Sequence, residues 1–166
     1  MNLKEAGSFG RALLSTAGIL LAAMLPAGCA AGAARQYDVV VYGATAGGTI
    51  TAIAAANEGA SVMLVEPGRY VGGLVSGGLG ATDSGNKSVI GGMSREFFIR
   101  TGRHYGEPIT WYFEPHVADR VFHDWLKEAK VPVLFGHRLA KVEKDGNRIT
   151  RIRMENGVSF SAKSSG

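Results

Sequence analysis

Cysteine and histidine are scarce in this sequence, which excludes the commonest metal sites. Cys29 is the only cysteine among 166 residues, so no disulfide can form within the chain and no second thiolate can share a metal ion. His116 and His123 lie seven residues apart, about two helical turns or roughly 10 Å, too far for joint ligation. His104 and His137 have no acidic or cysteine partner at ligand spacing. We therefore predict no metal site and assign no catalytic residue.

Charge is also scarce and only mildly positive. Lysine, arginine, aspartate and glutamate make up 19% of the chain, and the formal net charge is +4. Five basic residues near the C-terminus alternate with apolar residues, as they would on the solvated face of a sheet: Lys141, Lys144, Arg148, Arg151 and Arg153. Neither interleaved aromatic residues nor a binding motif accompanies them. This pattern predicts no nucleic-acid partner.

The start of the chain is an uncharged apolar run. Residues 12–28 are rich in alanine and leucine and follow Lys4 and Arg11, which is typical of a bacterial export signal. No adjacent arginine pair is present, which favours the general secretory route. We predict that residues 1–28 are a signal peptide and residues 29–36 a linker, and that the remaining chain has room for one domain.

Two interpretations of Cys29 stay open. Cleavage before Cys29 would give a lipid-modified N-terminus and a membrane-anchored lipoprotein, whereas cleavage within residues 30–34 would release a periplasmic protein. A lipoprotein signal favours a large apolar residue three positions before the cysteine, where this chain has Pro26, with Leu25 one position further back. An uncleaved signal acting as an anchor ranks third, because residues 12–28 are at the short limit for spanning.

A glycine turn follows the first apolar strand pattern. The β-branched run 38–42 predicts a buried parallel strand, and it leads into Gly43-Ala44-Thr45-Ala46-Gly47-Gly48. In the G-x-G-x-x-G pattern, three glycines allow a tight turn, close approach of the pyrophosphate and close helix packing. Gly43 and Gly48 hold the first and third places, but Thr45 holds the second. We predict a pyrophosphate contact by Gly43, Thr45, Ala46, Gly47 and Gly48.

The segment after the turn completes the pattern of a nucleotide site. Residues 48–58 predict a helix of small residues, and residues 61–65 predict the second strand. Glu66 follows that strand, 23 residues after Gly43. A carboxylate there accepts hydrogen bonds from ribose hydroxyls and repels a 2′-phosphate, which disfavours NADP. The alternative is an ordinary strand-to-helix turn without a ligand.

The motif after Glu66 carries a family resemblance. Arg69-Tyr70-Val71-Gly72-Gly73 has the form R-x-x-G-G, and here the chain resembles FAD-dependent oxidoreductases with a glutathione-reductase-like FAD domain. A bacterial, often exported branch is similar at residues 43–45, 72–74, 77–83 and 113–116. The resemblance covers about residues 37–162 and makes Thr45 a family variant. It implies that Arg69, Gly72 and Gly73 contact the diphosphate and flavin side of FAD.

The glycine-rich stretch 72–92 has two interpretations. It has the composition of a flexible surface loop, yet Leu74, Val75, Leu79 and Ile90 indicate packing against a flat partner, for which the flavin ring is the candidate. Asp83 is the most notable acid in this stretch, and it is equally well explained as a turn residue.

The second half of the chain predicts two helices, a strand and a meander. Residues 93–100 and 115–130 have helical periodicity, and residues 132–135 predict a third parallel strand. Residues 138–163 alternate with period two, and two Gly/Asn turns predict a three-stranded antiparallel meander. The expected core positions are Leu139, Val142, Ile149, Ile152, Val158 and Phe160. The resemblance implies that the meander crosses one face of the parallel sheet and that the backbone of Leu139 contacts adenine.

These patterns predict an α/β fold, a three-layer Rossmann-like FAD-binding domain with a parallel sheet and an antiparallel meander. In the resembled family a further parallel strand and a substrate domain follow the meander. We therefore expect residues 37–163 to be the N-terminal part of that domain, with residues 164–166 a truncated end and the substrate domain absent. The expected function in the intact protein is hydride transfer between an unknown small-molecule substrate and flavin.

By itself, this chain is expected to retain FAD weakly or not at all and to show no activity. Two alternatives remain: a fragment of an NAD-binding dehydrogenase, and a non-catalytic remnant. The R-x-x-G-G segment and the meander are evidence against the first. A membrane contact is expected only through a lipid anchor at Cys29.

Overall fold

The structure is a computed structural model that describes residues 34–83 and 85–163. The predicted signal peptide, Cys29 and the predicted truncated end at 164–166 lie outside the described residues. Within the described part of the chain, no helix is both long enough and apolar enough to cross a membrane.

The described chain forms seven strands, four α-helices and one 3-10 helix. The strands are β1 Arg35–Tyr37, β2 Val39–Tyr42, β3 Val62–Val65, β4 Val133–Leu134, β5 Leu139–Asp145, β6 Arg148–Met154 and β7 Ser159–Ala162. The helices are α1 Ala46–Asn57, α2 Leu74–Gly77, α3 Gly92–His104 and α4 Pro115–Glu128, with the 3-10 turn at Lys87–Val89.

A three-stranded parallel sheet is the centre of the fold. Its order is β2-β3-β4, with Val39 opposite Val62 and Val65 opposite Leu134. All four residues of β3 are buried, because both faces of the strand are covered: Val62 and Leu64 belong to one core cluster, and Met63 and Val65 to another. The three predicted parallel strands are therefore confirmed, with bounds within two residues of the expected ones.

The predicted meander is also confirmed, as β5, β6 and β7. These strands pair antiparallel, and β1 adds to β7 in parallel, which gives a four-stranded sheet of order β1-β7-β6-β5. The sequence did not predict β1, which begins at Arg35 inside the expected linker 29–36. Arg-Gln-Tyr has no apolar alternation, so only its pairing with β7 makes it a strand.

Two expected core positions of the meander are wrong. Val142 is 39% exposed and Ile149 is 59% exposed. Ile149 lies beside the β5–β6 turn, where Asp145 pairs with Arg148, and no element of the described chain covers that end. Register shifts in β5 also interrupt the strict alternation on which the expectation rested. The other four positions do join or pack against a core cluster that consists of Met63, Val65, Met154 and Phe160.

Aromatic side chains form the core between the parallel sheet and helices α3 and α4. Phe97 of α3 stacks on Phe122 of α4 with ring centroids 4.8 Å apart, and its edge meets Phe113 at 5.4 Å. Helix α3 extends to His104, four residues past its expected end, because Thr101 is fully buried and Gly102 packs against the backbone of Ile109.

Helix α1 packs on β2 through a backbone contact that allows no side chain. Gly43 has φ +98°, a conformation that favours glycine. A Cβ atom added to Gly48 would lie 2.0 Å from the carbonyl oxygen of Gly43. A Cβ added to the neighbouring Gly47 would meet nothing closer than Thr45 Oγ1 at 4.0 Å. The third glycine of the pattern is therefore required for packing, whereas Gly47 is not.

We predict that Gly48→Ala destabilises the chain by about 1–3 kcal/mol, because the methyl group displaces the backbone of Gly43. Gly47→Ala is the matched control, since it lies one residue away in the same helix. It should leave stability unchanged or raise it by about 0.5–1 kcal/mol, the usual helical preference for alanine over glycine. Urea unfolding measures both, and equal midpoints for the two variants would contradict the proposed contact.

Asp38 connects the two sheets through its carboxylate. Its Oδ2 atom accepts hydrogen bonds from Ser61 Oγ at 2.5 Å and Ser61 N at 2.9 Å, at the start of β3. Its Oδ1 atom lies 3.0 Å from Lys163 Nζ, which follows β7. The hydrogen bonds from Ser61 are the largest cause of a lowered pKa at Asp38. Together with Lys163 they hold this pKa far below its usual range.

This interaction predicts an acid-dependent loss of stability. Because the pKa of Asp38 is lower in the folded than in the unfolded chain, its contribution is complete above the unfolded pKa of about 3.9. The contribution decreases as the pH falls below that value towards the folded pKa. The difference in unfolding free energy between wild type and Asp38→Asn, measured by urea unfolding, should therefore be largest above about pH 4 and should shrink steadily as the pH is lowered from about 4 to about 2. A difference that stays constant over this range would refute the assignment.

Candidate functional site

The N-terminus of α1 lies at the carboxyl end of β2, directly after the glycine turn. Thr45 is its N-cap, and Thr45 Oγ1 accepts a hydrogen bond from Gly48 N at 3.1 Å. Thr45 has φ −58° and ψ 169°, so its backbone does not require glycine. The amides of Ala46 and Gly47, the first two of the helix, have no acceptor within the helix itself. They and the positive end of the helix dipole are available to an anion.

The Glu66 carboxylate joins the end of β3 to the glycine turn. Glu66 Oε2 accepts a hydrogen bond from Ala44 N at 2.6 Å, and Oε1 accepts one from Gly68 N at 2.6 Å. Each carboxylate oxygen can accept a second bond, so both remain able to take a ribose hydroxyl. The carboxylate is thus held in place by backbone donors before any ligand arrives.

The R-x-x-G-G segment packs against the same turn. Gly72 N donates to Ala44 O at 2.7 Å, and Gly72 pairs with Thr45 as an isolated parallel bridge. A Cβ atom at Gly72 would lie 2.6 Å from the ring of Phe122. Gly73 has φ +56°, and a Cβ there would lie 3.3 Å from Thr45 Cα. Both glycines are therefore required for this approach.

Arg69 stands apart from these close contacts. Its side chain is exposed, in the bend that precedes Val71. The structure therefore brings Glu66, Gly72 and Gly73 to the turn and leaves the Arg69 guanidinium facing solvent.

The backbone amide of Leu139, for which a contact with adenine is expected, is already engaged in a hydrogen bond. This residue is the first of β5, and Leu139 N donates a hydrogen bond to Tyr42 Oη at 3.0 Å. Tyr42 ends β2 immediately before Gly43. This contact could not be predicted from local sequence patterns, because the two residues are 97 positions apart.

An apolar cavity of about 530 Å³ opens beside the α1 N-terminus. Gly47, Val75 and Leu79 contribute to its lining, and so do the aromatic rings of Phe97 and Phe98. Its volume is in the range of small-molecule and cofactor pockets. Two of the four apolar residues expected to face a flat partner, Val75 and Leu79, therefore line a cavity.

Of the other two apolar residues, Leu74 and Ile90, neither contributes to the cavity, whereas Asp83 does. Leu74 is 73% exposed, and neither it nor Ile90 lines the cavity. Asp83 and Thr82 do line it, and with Ser94 they supply its polar groups. The expected turn residue Asp83 thus stands at the edge of the candidate site.

Two distant sequence motifs meet beside this cavity. Phe113 N donates to Gly80 O at 2.9 Å, and Ala81 pairs with Tyr112 as an antiparallel bridge. A Cβ atom at Gly80 would lie 2.0 Å from the carbonyl oxygen of Phe113, so only glycine fits there. The stretches 77–83 and 113–116, which carry part of the family resemblance, are therefore one structural unit.

Glu114 is part of a polar cluster at the start of α4. Tyr105 Oη donates a hydrogen bond to Glu114 Oε2, and Glu114 N donates to Tyr105 Oη at 2.9 Å. The Tyr105 bond lowers the pKa of Glu114, and nearby His116 and His104 act in the same direction. Burial, then the bond to Glu114, raises the pKa of Tyr105. Among the described residues, no group of three metal-ligating side chains is close enough to hold an ion.

Known proteins share sequence or fold with this chain. Over 51 residues the chain is 52% identical to a vinyl phenol reductase of Lactiplantibacillus plantarum, a match that spans 30% of this chain and 10% of that reductase. The flavin-containing monooxygenase of Stenotrophomonas maltophilia superposes with a TM-score of 0.54 at 19% identity, over 77% of this chain and 36% of that one.

A second solved structure shows the same fold. T. acidophilum thioredoxin reductase superposes with a TM-score of 0.53 at 19% identity, over 78% of this chain and 34% of that chain. The present chain thus spans about a third of these solved proteins. The fold is a Rossmann-like FAD-binding domain, as the sequence predicts.

The family model described as FAD dependent oxidoreductase matches residues 38–164, which is well over half of the chain. That range contains the glycine turn, Glu66, the R-x-x-G-G segment and the meander. The chain belongs to the family of FAD dependent oxidoreductases, and FAD is the cofactor of this family.

Proposed function

We propose that the described residues bind the adenosine diphosphate part of FAD around the glycine turn. The observation that carries this proposal is the convergence of three segments on Ala44. Its amide donates to the Glu66 carboxylate, and its carbonyl accepts from Gly72 N. The turn, the acid and the R-x-x-G-G segment are thereby held as one unit, although they come from separate parts of the sequence.

The glycine cradle is suited to the pyrophosphate. The helix N-terminus offers the amides of Ala46 and Gly47, and no side chain at Gly43, Gly47 or Gly48 obstructs the approach. Thr45 directs its hydroxyl to Gly48 N and so occupies the turn without blocking these two amides. Arg69 is exposed and precedes Gly72 and Gly73 in the R-x-x-G-G segment. In this proposal its guanidinium supplies a positive charge for the diphosphate.

The adenosine and the flavin then extend to opposite sides of the turn. Glu66 binds the ribose hydroxyls, and the start of the meander at Leu139 lies on the adenine side. On the other side, the apolar cavity lined by Val75, Leu79 and Phe98 receives the flavin ring. A polar nucleoside side and an apolar ring side match the two ends of FAD.

FAD supplies the hydride chemistry in the intact protein, where hydride passes between a small-molecule substrate and the flavin. The described residues bind and orient the cofactor, and the aromatic lining of the cavity excludes water from its ring. Because this chain spans only part of the proteins that it resembles, we propose weak FAD retention and no turnover by the chain alone.

We predict that Glu66→Ala weakens FAD binding by more than tenfold, because hydrogen bonds to a charged group contribute about 1.5–3 kcal/mol. Equilibrium dialysis of FAD against the purified chain, followed by its visible spectrum, measures this affinity. Glu58→Ala is the matched control, since Glu58 is an exposed glutamate at the opposite end of α1. It should bind FAD as wild type does.

The same dialysis separates the alternatives. Unchanged FAD affinity in Glu66→Ala would remove Glu66 from the site. A folded wild-type chain that binds NAD and not FAD would support the dehydrogenase alternative. A chain that binds neither would support the non-catalytic remnant.

We further propose that the protein is exported, either as a periplasmic protein or as a lipoprotein anchored through Cys29. The signal-like segment 1–28 and the position of Cys29 directly after it support this proposal. Growing expressing cells with a labelled fatty acid separates the two forms, because a lipoprotein would be labelled in the wild-type chain and unlabelled in Cys29→Ser. An unlabelled wild-type chain in the periplasmic fraction would exclude the lipid anchor and support export as a periplasmic protein.

A further inference from the structure

Tyr42 joins the parallel sheet to the meander through its phenol oxygen. Leu139 N donates a hydrogen bond to Tyr42 Oη at 3.0 Å. The Tyr42 side chain is 38% exposed, so a ligand can reach it. A phenol that accepts one hydrogen bond still has its own proton to donate. Within the described residues that proton has no acceptor, and it is available to a ligand.

The position of Leu139 places this hydroxyl on the nucleoside side of the turn. The segment that leads to Leu139 is bound to the backbone around Glu66: His137 N donates to Glu66 O at 3.1 Å, and Gly136 N donates to Gly68 O at 3.0 Å. A ribose on the Glu66 carboxylate therefore has its base next to residues 136–139. The Watson–Crick edge is the side of a base that lies away from its sugar, so it is the part of the base that can reach beyond Glu66 to Leu139 and Tyr42.

Three of the four backbone donors of that segment are already used. The amides of Gly136 and His137 bond to the backbone at Gly68 and Glu66, and the amide of Leu139 bonds to Tyr42. A base beside Leu139 therefore finds that residue's amide engaged and the Tyr42 hydroxyl in its place. Leu139 N–H acts on the base indirectly, because it fixes the phenol oxygen and leaves the phenol proton free to point outward.

We propose that Tyr42 is a specificity-determining residue that recognises adenine by donating its hydroxyl proton to the unprotonated ring nitrogen N1. The inference rests on the proposed function, because Glu66 must hold the ribose. A base with a hydrogen on N1, such as hypoxanthine, would present a donor to a donor. Sites built around a hydrogen bond discriminate strongly against a partner that cannot form it.

The experiment is calorimetric titration of the full chain with ADP, inosine diphosphate and inorganic pyrophosphate. We expect Tyr42→Phe to weaken ADP binding about three- to tenfold, the effect of one hydrogen bond, with pyrophosphate binding unchanged. Wild type should prefer ADP to inosine diphosphate, and Tyr42→Phe should lose that preference. Tyr37→Phe is the matched control. Because the Tyr37 ring packs on Phe160, loss of its hydroxyl should leave the affinity for both nucleotides unchanged.

Each contrary outcome is distinct. An ADP affinity that is unchanged or tighter in Tyr42→Phe would overturn the inference, since a tighter value means that the hydroxyl only competes for Leu139 N–H. If circular dichroism shows that Tyr42→Phe does not fold, equal wild-type affinities for ADP and inosine diphosphate would overturn it instead. ADP binding that depends on Glu66 but not on Tyr42 leaves the proposed function intact. Absence of binding to ADP, pyrophosphate and FAD would overturn both.

Discussion

The close approach of the Gly48 backbone to the Gly43 carbonyl is the constraint on which the rest of the site depends. A Cβ at Gly48 would lie 2.0 Å from that oxygen, so α1 reaches β2 only because position 48 has no side chain. This approach brings the N-terminus of α1 to the carboxyl end of the sheet. It also holds the turn where Ala44 N meets the Glu66 carboxylate at 2.6 Å. A bulkier residue at position 48 would move the helix dipole and the Ala44 amide together.

Two environments of different polarity adjoin the turn. Glu66, Tyr42 and the backbone of residues 136–139 form a hydrogen-bonding region. Helix α3 and the glycine-rich segment form an apolar cavity with aromatic walls, which the first residues of α1 also line. The N-terminus of α1 offers amides to an anion. A ligand with a polar nucleoside, a central diphosphate and a flat ring matches this sequence of environments, and FAD has these three parts in this order.

The sequence predicted those parts of the fold whose signal is local. The valine run of β2, the glycines of the turn and the acid at position 66 each carry their own pattern, and the structure has the three strands and helix expected from them. Features that depend on a distant partner were missed. Arg35–Tyr37 becomes a strand only beside β7, and Ile149 is exposed only because nothing in the described chain covers the end of the meander. The Tyr42 contact with Leu139 belongs to the same class.

Thr45 shows why a departure from the glycine pattern can be compatible with the site. Its backbone, at φ −58° and ψ 169°, is open to any residue, so only the volume of its side chain matters. The hydroxyl turns towards the helix and caps it through Gly48 N, which replaces a free amide by a bonded one. The added volume is accommodated by Gly73, where a Cβ would lie 3.3 Å from Thr45 Cα and 3.6 Å from Thr45 Cγ2. Threonine at position 45 and glycine at position 73 are therefore coupled, because a side chain at position 73 would compete with Thr45 for the same space.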